Sequence, residues 1–370
     1  MKKISLSEYK DYKQYFIMFD ILIKSVNSNK EEFLQSLYLS PSSYRRAKND
    51  GNKIGAQLAK ELCKYFNLSL FTSKLIDEIE ERFNLIYFNI YYKIYDTYEE
   101  DLTWIEDLLS KNYMFFPVLK LFKLLMLLNG FKNPNQIIDN YKQLFNEIKS
   151  YENFYNDSLL ELLEILEVSF KSETENFDMS KSLKNELSYY TLSSKYALIG
   201  KHIESIYFCE KAKESFIKKE NFKRVYYANL TLIFNYNCLC NFEEAYMLEK
   251  KQMLSLKSFN EYEFEFLSTR KHYIITCLGM KKYKEVLTML ENNEEMDLTE
   301  VCCYLISEYI VNKKEYENTI HDIIESNSNY NNKNLFTLLD KYLKSKDKKT
   351  LLRIQQYNIN LTLKEILKKM

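Results

Sequence analysis

The chain has 370 residues, 46% apolar and 28% charged, with no net charge, five glycines and three prolines. That balance suits a folded chain with a large core and excludes a disordered one. So little Gly and Pro argues against a turn-rich β fold and for long helices joined by short polar loops. The zero net charge hides an asymmetry. Residues 1–73 carry 12 Lys and Arg against seven Asp and Glu, an excess of +5, so the remainder carries −5. A basic amino-terminal piece on a mildly acidic body fits a nucleic-acid reader joined to something else.

Residues 8–26 are expected to form a helix whose stripe is Tyr12, Tyr15, Phe16, Phe19, Ile23 and Val26. Residues 28–69 read as three short helices. Asn29 is placed to cap the first, with Glu31 and Glu32 in its opening turn and Phe33, Leu34 and Leu37 on one face. Ser40 can cap the second, Pro41 suits its first turn, and the segment continues polar and basic to Asn49-Asp50-Gly51. The third, from Ile54 to Phe66, has Leu58, Leu62, Cys63 and Phe66 on one face.

A helix, a sharp turn and a second helix with little apolar surface is what a helix-turn-helix requires, because the second helix must stay free for the major groove. The run Leu39-Ser40-Pro41-Ser42-Ser43-Tyr44-Arg45-Arg46 resembles that of the Cro/repressor-like class. It departs from the class afterwards, at Ala47-Lys48-Asn49-Asp50-Gly51, and lacks the usual Gln near the start of the first helix. The resemblance implies duplex DNA as a partner. Arg45 and Arg46 would carry affinity, and Ser42, Ser43, Tyr44 and Lys48 would position the helix on phosphates.

Residues 74–94, with Ile76, Ile79, Phe83, Ile86, Ile90 and Ile94, are expected to form one amphipathic connector helix. From residue 95 the chain reads as helical hairpins. Three turn regions share a pattern of small or polar residues followed by a ring at His202, Phe242 and Tyr283, spaced by 40 and 41 residues. A fainter copy lies at Asn312 to Thr319, and an earlier turn is expected at 129–138. One hairpin cannot bury its own apolar face, so such units stack. The pattern resembles the tetratricopeptide repeat over residues 185–330 and, more weakly, 95–185, without the usual Trp and closing Pro and with a longer period than that family's 34. Residues 335–370 are expected to form two amphipathic helices that cap the array or pair with a second subunit. The expected fold is therefore all-α: a helix-turn-helix domain (1–73), a connector (74–94), a right-handed superhelix of tetratricopeptide-like hairpins (95–334) and the terminal helices (335–370).

Motifs for catalysis are missing. There is no Walker loop, Rossmann glycine pattern, HExxH or nucleophile elbow, and five glycines barely allow a phosphate cradle. His202, His272 and His321 are isolated in sequence, and Cys302-Cys303 and Cys238-x-Cys240 read as packing residues. No enzyme activity, cofactor or metal is expected. The polar start at Met1 to Lys13 and the lack of a long apolar run give the expectation of a cytoplasmic chain with reduced thiols and no membrane span.

In domain order the chain resembles the RNPP-like transcription regulators of the Rgg, PrgX and PlcR type, relatives of the phage arbitrium receptors. That resemblance implies a cytoplasmic homodimer whose repeats bind a short signalling peptide and so alter operator binding. By the repeat register the peptide would meet Tyr190, Ser194, Tyr227, Asn237 and Lys271, with Asn229, Asn235 and Arg270 nearby; amides offer a peptide backbone both donor and acceptor. A different class stays open: a protein-interaction adaptor whose first 70 residues are only a helical cap.

Overall fold

The structure, a computed structural model, describes residues 2–26, 29–50, 53–95, 98–109, 114–130, 141–170, 183–257, 263–291, 296–327 and 329–370. The fold is all-α, with no strand among the described residues. None of the helices is long and apolar enough to cross a membrane among those residues. Contacts divide the chain into two compact units, one of residues 1–192 and 214–224, the other of residues 193–213 and 225–370. The division falls at none of the boundaries expected from the sequence (73, 94 and 334).

The first unit opens with an extended segment and a 3-10 turn, Ser7–Lys10, and then runs through α1 (Tyr12–Val26), α2 (Lys30–Ser36), α3 (Pro41–Asp50), α4 (Lys53–Tyr65), α5 (Ser73–Tyr92), α6 (Glu99–Leu109), α7 (Phe116–Leu128), α8 (Tyr141–Ser150) and α9 (Asp157–Phe170). The caps follow the sequence. The Asn29 side chain accepts from the amides of Glu31 and Glu32, and Ser40 Oγ accepts from the amide of Ser43. Along α1, Tyr15, Phe16, Phe19 and Ile23 are buried, whereas Val26, expected in the stripe, is exposed.

α5, expected as an amphipathic connector, packs its apolar face into the core of the first unit. Ile76, Ile79, Phe83, Ile86 and Ile90 are all buried, and Phe83 stacks on Phe122 of α7 at 4.5 Å. The opening segment is strapped between α5 and α9. Ile4 N–H donates to Asn84 Oδ1 (2.8 Å), and Asn84 Nδ2 donates back to Ile4 O (2.9 Å). Ser5 N–H donates to Ser158 Oγ, and the Tyr9 hydroxyl donates to Phe154 O from a fully buried ring against Phe115 and Phe154. The amino-terminal helices therefore share a core with residues beyond 94, and a fragment cut at residue 73 would expose Ile4, Leu6 and Tyr9.

Three helices cross the division: α10 (Glu186–Leu198), α11 (His202–Lys218) and α12 (Phe222–Cys238). Their first-unit ends are held by polar bonds. Arg224, 1% exposed, donates to Tyr91 O (3.0 Å) and Asn129 Oδ1 (2.8 Å), while Glu186 accepts from the Tyr91 hydroxyl and Lys219.

The second unit continues through α13 (Phe242–Lys257), α14 (Glu263–Gly279), α15 (Tyr283–Leu290), α16 (Leu298–Val311), α17 (Lys313–Ser326), α18 (Tyr330–Ser345), α19 (Lys348–Ile354) and α20 (Leu361–Lys369). The three turns before the spaced rings share one backbone form. Gly200, Cys240 and Lys281 all have left-handed φ (+79°, +59° and +60°), each two residues before a ring. At each site the next amide bonds back five residues: Lys201 to Tyr196 O, Asn241 to Tyr236 O and Lys282 to Cys277 O. This is a Schellman cap, and the same cap also ends helices at Tyr38, Asn67, Lys93 and Glu220. Two of the rings, His202 and Phe242, meet the next helical hairpin. His202 Nδ1 meets Asn235 Oδ1 at 2.9 Å, and a Cβ on Gly279 would lie 2.4 Å from the Phe242 ring. Because a non-Gly residue is costly at such a φ, Lys281→Gly is expected to raise the stability of the chain by about 0.5–1 kcal/mol. Thermal unfolding followed by circular dichroism checks this, and an unchanged or lower midpoint would contradict it.

The terminal residues form three helices, not two. Leu338, Leu339, Tyr342, Leu343, Ile354, Leu363, Ile366 and Leu367 are all buried in one core with α14 and α16, so these apolar faces are spent within the unit. The earlier turn expected at 129–138 lies mostly outside the described residues, which stop at Gly130.

Candidate nucleic-acid interface and polar inner cluster

α3 has one inward and one outward side. Tyr44 and Ala47, three apart, are each 2% exposed; Ser42, Ser43, Arg45 and Arg46 are exposed. Ala47 is pinned by Gly55 of α4, where a Cβ would lie 2.8 Å from Ala47 O, so only glycine permits this approach of α3 to α4. No hydrogen bond or ion pair engages Arg45 or Arg46 among the described residues, so their guanidinium groups are free for an outside acceptor.

Tyr44 does not join the outward set. Its ring meets Phe16 edge-on at 5.3 Å, and its hydroxyl donates to Asp20 Oδ1 at 2.9 Å. Burial, and then the Asp20 charge, push its pKa up, so it stays a neutral donor. Lys48 is also committed, at 2.7 Å from Asp20 Oδ2, and is only half-buried. Lys30, at the start of α2, reaches Asp20 Oδ1 at 2.5 Å and lies 4.4 Å over the Tyr44 ring. Burial alone would raise the Asp20 carboxyl, but hydrogen bonds from Lys30, Lys48 and Tyr44 outweigh it and hold it below the usual carboxylate range. Beside this cluster, a cleft of about 400 Å³ is lined by Lys30, Pro41, Tyr44, Arg45, Lys48 and Asn49, among others.

The residues expected to meet a peptide differ in exposure and in partners. Tyr190 belongs to the first unit, where its ring lies 6.3 Å from Phe216. In the second unit Asn235 and Asn237 are buried and their amides are spent: Asn235 Nδ2 donates to Ser205 Oγ (2.8 Å), and Asn237 Nδ2 donates to Thr276 Oγ1 (2.8 Å). They act as interhelical cross-ties, which removes them from a ligand-contacting set. Ser194, Tyr227 and Asn229 are half-buried, and Asn229 Oδ1 is enclosed without a hydrogen-bond partner. Arg270 contacts Glu300 at 3.4 Å and has an enclosed, unbonded Nε; Lys271 is exposed and paired with Asp297 at 2.9 Å.

Beside Lys271 is a cavity of about 130 Å³, lined by His272, Asp297, Thr299, Glu300 and Asn360 among others. Burial holds the His272 imidazole down at about 4, neutral at pH 7. Deeper in the unit lies Glu249, 0% exposed, whose Oε1 accepts from Thr276 Oγ1 (2.8 Å) and whose Oε2 has no hydrogen-bond partner. Burial pushes this carboxyl up to about 8, against the lowering effect of Thr276 and Asn237, so it is an acid at pH 7. No cluster of His, Cys, Asp or Glu among the described residues has the arrangement to hold a metal ion.

Asp20 and Glu249 are the polar groups that the sequence reading missed. Each had a local signal. Asp20 interrupts the apolar stripe of α1 between Phe19 and Ile23, and Glu249 shares its helix face with buried Ala245 and Gln252. No family model, curated protein or solved structure matches the chain significantly.

Proposed function

We propose that the chain is a DNA-binding transcription regulator that reads duplex DNA with the outward side of α3. The observation that carries this reading is the pair of exposed, unpaired guanidinium groups of Arg45 and Arg46, beside Ser42 and Ser43, on a helix whose other side is anchored by Tyr44 and Ala47. Arg pairs bidentately with guanine in the major groove, and serine hydroxyls suit phosphates. In this reading α2 and α3 are the helix-turn-helix, and Tyr44 and Lys48 serve α3 from behind.

The hairpins capped at Gly200, Cys240 and Lys281 would form the tetratricopeptide-like receptor part of a homodimer. A short peptide is its proposed ligand. What supports this is the half-buried Tyr227 and Asn229, the enclosed unbonded atoms of Asn229 and Arg270, and the polar cavity beside Lys271. Peptide and DNA would then be coupled through one conformational equilibrium.

The test is selection of randomised duplex DNA on the full-length chain. Enrichment of a motif, as two half-sites about 10 bp apart for a two-fold dimer, is the expected result. Recovery of an unenriched pool would overturn the reading.

A further inference from the structure

We infer that Asp20 is the positioning residue for sequence readout: it locks α3 to α1 and withholds two lysines from the DNA backbone. This inference rests on the duplex-binding reading above and goes beyond it, because Asp20 lies on another helix and bonds neither Arg45 nor Arg46.

One carboxylate receives three donors from two other helices: Lys30 Nζ at the start of α2, and the Tyr44 hydroxyl and Lys48 Nζ on α3. Tyr44 and Lys48 are four residues apart, so both bonds fall on one side of α3 and fix its rotation about its own axis. That rotation decides which side chains face outward. A turn of one residue, about 100°, would bring Tyr44 toward solvent and swing an arginine inward.

The charge balance has a second consequence. A lysine ammonium is a point charge that strengthens binding to any phosphate, whatever the sequence, whereas the planar arginine fork discriminates bases. With Lys30 and Lys48 tied to Asp20, Arg45 and Arg46 are the exposed cations of α3 left free. Asp20 thereby lowers non-specific attraction while holding the specific contacts in register. Without it, non-specific affinity should rise and discrimination should fall, a pair of effects that simple loss of folding does not produce.

The experiment compares full-length parent and Asp20→Asn on a fluorescein-labelled 30-bp duplex of mixed sequence across a salt series, and on a randomised duplex pool. If both lysines are released, the slope of log affinity against log salt steepens by about two. Enrichment from the pool should fall at least tenfold. A variant with the parent's slope and enrichment would overturn the proposal while leaving the reading intact. A parent that binds no duplex would overturn the reading, and the proposal with it. Should Asp20→Asn fail to fold by circular dichroism, Lys48→Gln decides. Its slope should equal the parent's, since Lys48 is spent on Asp20; a slope shallower by about one would mean that Lys48 serves a phosphate and would overturn the proposal.

Discussion

Replacing Arg45 and Arg46 together by alanine should cost full-length protein at least about 30-fold in affinity for its selected duplex, because each bidentate base contact is worth about 1–3 kcal/mol. Stability should barely change. Both side chains are exposed and neither has an ion pair, so the melting transition is expected within about 0.5 kcal/mol of the parent's. That separation matters, because an adaptor that merely used these helices as a cap would lose nothing on either measure. The residual binding of the double variant should be sequence-independent and carried by phosphate contacts. Anisotropy titration at fixed salt checks the affinity, and parental affinity in the double variant would place the reading surface elsewhere.

The second large effect is a pH dependence set by Glu249. Its carboxyl is protonated in the folded chain up to about 8 but releases its proton near 4.5 when unfolded. Between these values the folded state holds a proton that the unfolded state has lost. Stability from this group is therefore full below about 4.5, declines as pH rises and is gone above about 8. The whole span corresponds to about 4–5 kcal/mol. Glu249→Gln removes the titration and keeps a hydrogen-bonding partner for Thr276. The variant should match the parent near pH 5 and melt about 5–10 °C above it at pH 9. Parallel melting profiles for the two proteins between pH 5 and 9 would show that the Glu249 environment is wetter than described.

Much of the helical content was legible from pattern alone. The 3–4 spacing in α1 and α5, the caps at Asn29 and Ser40 and the turns before His202, Phe242 and Tyr283 each follow from local physics that one helix or turn expresses by itself. The unit division was not legible, because it depends on long-range ties. Nothing near Ile4 announces that Asn84 will clamp it, or near Arg224 that it will hold the carbonyl of Tyr91.

The candidate site divides in the same way. Exposure of Arg45 and Arg46 follows from the polar character of α3, but the inward turn of Tyr44 depends on Phe16 and Asp20, 28 and 24 residues away. Asn235 and Asn237 read as ligand donors for a comparable reason. An amide on a helix looks the same whether it faces a groove or cross-ties a neighbour, and only Ser205 and Thr276 reveal the second. Among polar residues, sequence separates exposed from buried less well than it separates helix from turn, because burial is decided by partners distant in the chain.

The central claim is that the outward side of α3 grips duplex DNA. The most direct measurement is an anisotropy salt titration of the full-length chain against a mixed-sequence duplex, beside the Arg45→Ala/Arg46→Ala variant. The account predicts that parental affinity falls about ten- to a hundredfold between 50 and 200 mM salt, and that the variant binds more weakly with a shallower slope. No binding at 50 mM salt, or identical slopes and affinities for the two chains, would contradict it.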